Sequence, residues 1–137
     1  GSYDQARGLS GYGYVVCIEG KIIFQDSGII LDSDMINLQS LGSEVFALLR
    51  AMEWSISNGY KEIKIIYDSV GIISLITNGN DSKAKKSRGR AKFISVYEKY
   101  AQYLTIHFQH RSENELFKHF HAYAHNLSRL PVGLLSS

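Results

Sequence analysis

The run GYGYVVCIEGKIIFQDSGII, residues 11–30, constrains the fold more than any other stretch, because it sets two β-rich segments around a glycine. Gly20 relieves the steric cost of a tight turn at Glu19, Gly20 and Lys21, so the two segments form an antiparallel pair. The period then changes. SEVFALLRAMEWSISNGY carries apolar residues at Val45, Leu48, Leu49, Met52 and Ile56, a helical stripe, with Ser43 as the expected N-cap and Gly59 at the stop. EIKIIYD follows as a short β-branched strand. SVGIISLIT is nearly continuous in apolar residues, and its place after a strand favours a helix. AKFISVYEKYAQY puts Phe93, Val96, Tyr97 and Tyr100 on one helical face, and LTIHFQH alternates like a half-buried strand. A last helix is expected from about Asn114 to Ser128, ending ahead of Pro131. A hairpin followed by alternating helices and strands predicts a mixed α/β sheet.

The chain has 137 residues, which predicts a single domain over residues 1–137. Its composition, 45% hydrophobic and 20% charged, is that of a folded globular protein and excludes a disordered or collagenous class. Cys17 has no partner cysteine and no leading basic and apolar segment is seen, so an intracellular, cytoplasmic location is expected. No apolar run approaches the roughly 18 residues of a membrane span. The net charge of +2 is uninformative alone, but Lys83, Lys85, Lys86, Arg88, Arg90 and Lys92 crowd the segment SKAKKSRGRAK. That cluster reads either as a phosphate-contacting patch or as a solvated loop.

Two acids hold informative positions. Glu44 opens the first long helix, and Asp68 ends a buried-looking strand at the turn into the next helix. Loops beyond strand ends are where α/β proteins place their sites. Each acid also has a plain structural role available: Asp68 with Ser69 as a helix cap, Glu44 as a favourable charge near a helix start. Near the C-terminus, SENELFKHFHAYAH carries His119, His121 and His125. His121 and His125 lie four apart and could grip zinc from one helix face, but no glutamate lies between them and no third ligand is suitably spaced.

Taken together, GYGYVV, GSEVFALLRAMEWSI, IKIIYDSVGIISLI and LTIHFQHRSENEL resemble ribonuclease H of type 1 across nearly the whole chain. The most specific parts are the helix with its leading glutamate and the strand ending in Tyr67, Asp68 and Ser69. The resemblance implies an α/β fold with a mixed five-stranded sheet and flanking helices. It also implies four acids around two Mg2+ or Mn2+ ions and cleavage of the RNA strand of an RNA–DNA hybrid. Glu44 and Asp68 match two of those acids, and His110 lies near a histidine that assists turnover in many members. The resemblance further implies substrate contacts for Lys85, Lys86, Arg88 and Arg90, with Asn114 as a further nucleic-acid contact.

The sequence departs from the family pattern at both ends of the site. GSY resembles the tail of a DGSY motif, an alignment that leaves the first catalytic aspartate and its strand absent. In the other alignment Gly1 and Ser2 are a cleavage scar and Asp4 is the ligand, at the end of a very short central strand. A central strand that short leaves backbone unpaired, so a partner chain, self-association or the segment PVGLL is expected to complete it. At the last position the family has an acid four residues after an asparagine, whereas Lys118 stands four after Asn114. With a small insertion, FHAYA matches the family's ADxLA and puts His121 at the final ligand position. The expected metal set is therefore Asp4, Glu44, Asp68 and His121. Two functions stay open: a metal-dependent endonuclease, or a descendant of the same fold that binds nucleic acid or a protein partner without cleaving.

Overall fold

The computed structural model describes residues 1–77 and 87–135. Strands β2 (Leu9–Ile18) and β3 (Lys21–Ile29) form the expected hairpin, in register from Gly11↔Ile29 to Ile18↔Lys21, with a bulge between Val16 and Cys17. Glu19 and Gly20 both take left-handed backbone, at φ 52° and 78°. Two such residues make a turn whose twist matches that of the strands it joins. Strand β1 (Ser2–Asp4) pairs antiparallel with the other edge of β2, from Ser2↔Gly11 to Asp4↔Leu9. Strands β4 (Glu62–Tyr67) and β5 (Thr105–His110) pair in parallel, from Glu62↔Thr105 to Tyr67↔His110.

The architecture is the expected α/β type with five strands, but they lie in two sheets, β1-β2-β3 and β4-β5. The division follows from the length of β1. Its three residues cover β2 only between Leu9 and Gly11, so the rest of that edge faces β4 across a gap.

Helices α1 (Ser33–Ile36), α2 (Ser40–Ser57), α3 (Val70–Thr77) and α4 (Arg88–Ala101) pack on one another, and α5 (Glu115–Leu135) packs along β2 and β3. The two faces of β2 meet different helices because its side chains alternate. Tyr12 turns toward α2, its ring 5.0 Å from that of Phe46. On the opposite face Gly13 lets α5 approach: a Cβ there would lie 2.6 Å from the Ala124 carbonyl and 2.7 Å from the Ser128 nitrogen. The core gathers Val45, Leu48 and Met52 of α2 with Ile72 and Leu75 of α3, Phe93 of α4, and Ile30.

Two boundaries and one short helix differ from the sequence reading. Helix α2 starts at Ser40, so Ser43 is not its N-cap and Glu44 lies a turn inside it. Ser43 is fully buried and its hydroxyl donates to the Ser2 carbonyl at 2.8 Å, while the Ser2 hydroxyl donates to the Ser128 carbonyl at 2.9 Å. Tertiary anchoring of β1 between two helices takes the serine that would otherwise cap. Helix α5 continues through Pro131, past the expected end at Ser128, because Val132 is buried beside Gly11 and rewards another turn. Helix α1 was not expected; the Asp32 carboxylate nucleates it by accepting from the Asp34 and Met35 amides. Gly59 ends α2 as expected, at φ 81°. Among the described residues no helix is long and apolar enough to cross a membrane.

Candidate functional site

The gap between β2 and β4 is a groove of about 210 Å³, and Glu44 of α2, Asp68 at the end of β4, and His121 and His125 of α5 all line it. Burial pushes the Glu44 carboxyl above the ordinary glutamate range, the α-amino group of Gly1 opposes this, and the Asp68 charge adds to it. Burial pushes His121 down, against the pull of Asp68, which favours the neutral imidazole. Two carboxylates and a neutral imidazole thus share one partly dry cleft.

The turn after β4 is held from β5. The register Tyr67↔His110 sets residue 111 beside Asp68, and the Arg111 Nε donates to the Asp68 Oδ1 at 2.7 Å. His110 is the last residue of β5, and its Nδ1 accepts from the Ser112 amide at 3.1 Å. In the neutral ring that bond leaves the proton on Nε2, which donates to the Asp68 carbonyl at 2.9 Å. The same ring stands edge-on to Tyr67 at 5.4 Å. His110 therefore clamps the turn that carries Asp68. Ser69 supplies the cap of α3, its hydroxyl accepting from the Gly71 amide at 3.2 Å. That leaves the Asp68 carboxylate uncommitted to capping.

The other expected site residues fall elsewhere. Asp4 ends β1 bonded to Arg7, whose Nε donates to Oδ2 at 2.6 Å, and this bond holds its carboxyl below the aspartate range. It lines a separate cleft with Arg7 and Arg129 and does not join Glu44 and Asp68. Lys118 pairs with Glu115 at 3.0 Å. Of the two candidates for the last position, His121 is the one in the groove. The Asn114 Oδ1 accepts from the Leu116 amide at 2.7 Å and caps the start of α5. Arg88 pairs with Asp34 at 3.3 Å and Lys92 with Asp32, so part of the basic segment ties α4 to α1. Arg90 lies in the first turn of α4, its amide bonded to the Ser87 hydroxyl at 3.4 Å. Lys85 and Lys86 lie outside the described residues.

Among the described residues no three His, Cys, Asp or Glu side chains converge closely enough to form a metal cage by themselves. Arg111 escaped the sequence reading. Its signal was the strand pairing, which brings the residue after LTIHFQH level with the residue after IKIIY.

A family model described as reverse transcriptase-like matches residues 1–123. The chain belongs to the reverse transcriptase-like family. A solved structure with the same fold is that of RNase H1 from the halophilic archaeon Halobacterium salinarum NRC-1. The likeness has a TM-score of 0.68 at 18% identity, over 91% of this chain and 86% of that one. At that identity the likeness speaks for the fold. No curated protein sequence matches this reverse transcriptase-like chain. The family match spans β1 through the first part of α5, and so includes Glu44, Asp68 and His121 of the groove but not His125.

Proposed function

We propose that this reverse transcriptase-like domain is a metal-dependent endonuclease that cleaves the RNA strand of RNA–DNA hybrids. The observation that carries the proposal is the meeting of Glu44 and Asp68 in the groove at the end of β4, with Glu44 driven up by burial and by its neighbour's charge. Asp68 has Arg111 beside it and Glu44 the Gly1 α-amino group, and the two carboxylates together offer oxygen donors of the kind a divalent cation takes. Hard oxygen donors suit Mg2+ or Mn2+, so the pair fits a divalent ion, held by Glu44 and Asp68 with the neutral imidazole of His121 as an added donor. A pair of such ions, when bound, polarises a phosphoryl oxygen and makes water a nucleophile at neutral pH.

The protein's own groups set the stage for that chemistry. His110 fixes the backbone that carries Asp68 by donating to its carbonyl. Arg111 neutralises the Asp68 charge while no substrate is bound, and its guanidinium is placed to meet a phosphate when Asp68 turns to a cation. A hybrid would be recognised by phosphate and 2′-hydroxyl contacts, with Arg88, Arg90, Lys85 and Lys86 as the basic contacts and Asn114 at the helix start. Asp68→Asn should lower hybrid cleavage by at least roughly 100-fold with little change in hybrid affinity. An unchanged cleavage rate would remove Asp68 from the site.

Two observations favour a second reading, a domain that binds nucleic acid or a protein partner without cleaving. Arg111 already supplies Asp68 with a positive partner at 2.7 Å, and Asp4 stands outside the groove. On that reading the domain binds hybrid with a strong salt dependence and no turnover.

A further inference from the structure

Strand β2 separates the groove from the outer edge of β3, and the alternation of the β2–β3 ladder fixes which groups that edge presents. The Ser10 carbonyl accepts from the Ile30 amide at 2.9 Å. In the register that continues as Tyr12↔Gly28, Tyr14↔Asp26 and Val16↔Phe24, the even residues of β3 therefore bond to β2. Gln25, Ser27 and Ile29 point their N–H and C=O groups the other way. Among the described residues no strand pairs with this edge, and no backbone bond takes those groups.

Open edges are commonly guarded by bulges, lysines and prolines. Here the guards stand at one end only: Lys21 beside the turn, and the bulge, whose extra residue is Ile23. From Gln25 to Ile29 there is none of these. Exposed apolar side chains flank the stretch instead. Ile23 is 47% exposed before it, and Leu31, two residues past its end, is 87% exposed. The one charge within it is Asp26, which has Arg50 of α2 beside it at 3.4 Å.

We propose that the outer edge of β3 is a self-association surface, on which a second copy of this chain pairs antiparallel about a two-fold axis at Ser27. Residues opposed in an antiparallel ladder share a face of the sheet, so the free odd residues of one copy meet odd residues of the other. Centred on Ser27, the ladder sets Ser27 against Ser27 and Gln25 of each copy against Ile29 of the other, which takes all three free residues. A centre on Asp26 takes only Gln25 and Ser27 and sets like charges directly opposite, which is destabilising. A centre on Gln25 draws the bulge into the ladder. In the Ser27 register Asp26 lies opposite Gly28 and keeps Arg50 as its cation. The same register carries Leu31 of each copy toward Ile23 of the other, so the two exposed apolar residues cover one another. One patch serves both copies, as a closed two-fold dimer requires. The pairing leaves the groove open and stands whether or not the domain cleaves hybrid.

Sedimentation equilibrium of the chain between roughly 1 μM and roughly 1 mM tests it. The average mass should rise from that of one chain toward twice that value. Over the same range, amide exchange at Gln25, Ser27 and Ile29 should slow by at least roughly tenfold. Two variants identify the surface. Leu31→Lys alters a side chain that the fold leaves in solvent, and places a charge in the apolar contact. Ser27→Pro removes a donor that faces away from β2, a place where an edge strand tolerates proline. Each should hold the mass at one chain up to the highest concentration, and Leu31→Lys decides alone should Ser27→Pro lose its far-UV signal. A mass of one chain throughout for the unaltered protein would overturn the proposal and leave the edge to a strand of another protein. Undiminished dimerisation of Leu31→Lys would overturn it, as would a dimer whose Gln25, Ser27 and Ile29 amides exchange as fast as those of the monomer.

Discussion

At the scale of single residues, the site trades stability for charge. Glu44 is held above its ordinary range when folded, so the folded state binds its proton more tightly than the unfolded chain does. The favourable contribution of that proton is present in full at acid pH, below the unfolded value near 4.5, and is lost as pH rises through the folded value. Glu44→Gln should therefore raise the melting temperature at pH 7 and leave it nearly unchanged at pH 4, as followed by thermal melts at both values. A lower melting temperature at pH 7 would mean that the carboxylate is a structural partner. Ser43 has the opposite character. Ser43→Ala leaves the Ser2 carbonyl without its donor and should cost about 1–3 kcal/mol in urea unfolding. The sequence showed Glu44 and Asp68 as site candidates by their places at a helix start and a strand end, and His121 only through the resemblance of FHAYA to the family's ADxLA. Arg111 was not legible, since only the β4–β5 register brings it to Asp68.

At the scale of elements, the periods in the sequence were enough to order the strands and helices. The boundaries were set by contacts from elsewhere in the chain: Ser43 reaches back to Ser2, and Val132 draws α5 past Pro131. Another such contact is at Gly13, where helix α5 rests directly on the backbone of β2. Gly13→Ala should destabilise the fold by about 1–3 kcal/mol through overpacking, measured by urea unfolding. Gly59→Ala tests a different property, because nothing crowds that position and only its φ of 81° resists a side chain. Its cost should be about 1 kcal/mol, the left-handed penalty alone. The three residues Ser2, Tyr3 and Asp4 carry no pattern that shows how far their ladder extends, and that is why the split of the sheet beside β1 was not foreseen in detail.

At the scale of the whole molecule, one groove holds both the candidate chemistry and the unpaired edges of two sheets. The acids that repel one another sit at the end of that groove, where β4 gives way to the turn clamped by His110 and Arg111. The charge pattern adds a binding expectation. Replacing Arg88 and Arg90 together by alanine should weaken hybrid binding and reduce the slope of affinity against salt by about 1–2. The central claim is that the half-buried Glu44–Asp68 pair makes this domain a nuclease. The measurement that tests it most directly is cleavage of an end-labelled RNA–DNA hybrid in Mg2+ and, separately, in Mn2+, by the protein and by Glu44→Gln prepared alongside. The account predicts cuts in the RNA strand that need the metal and fall at least roughly 100-fold in the variant. Equal cleavage by the two proteins, or hybrid bound in both metals and left intact, would contradict it.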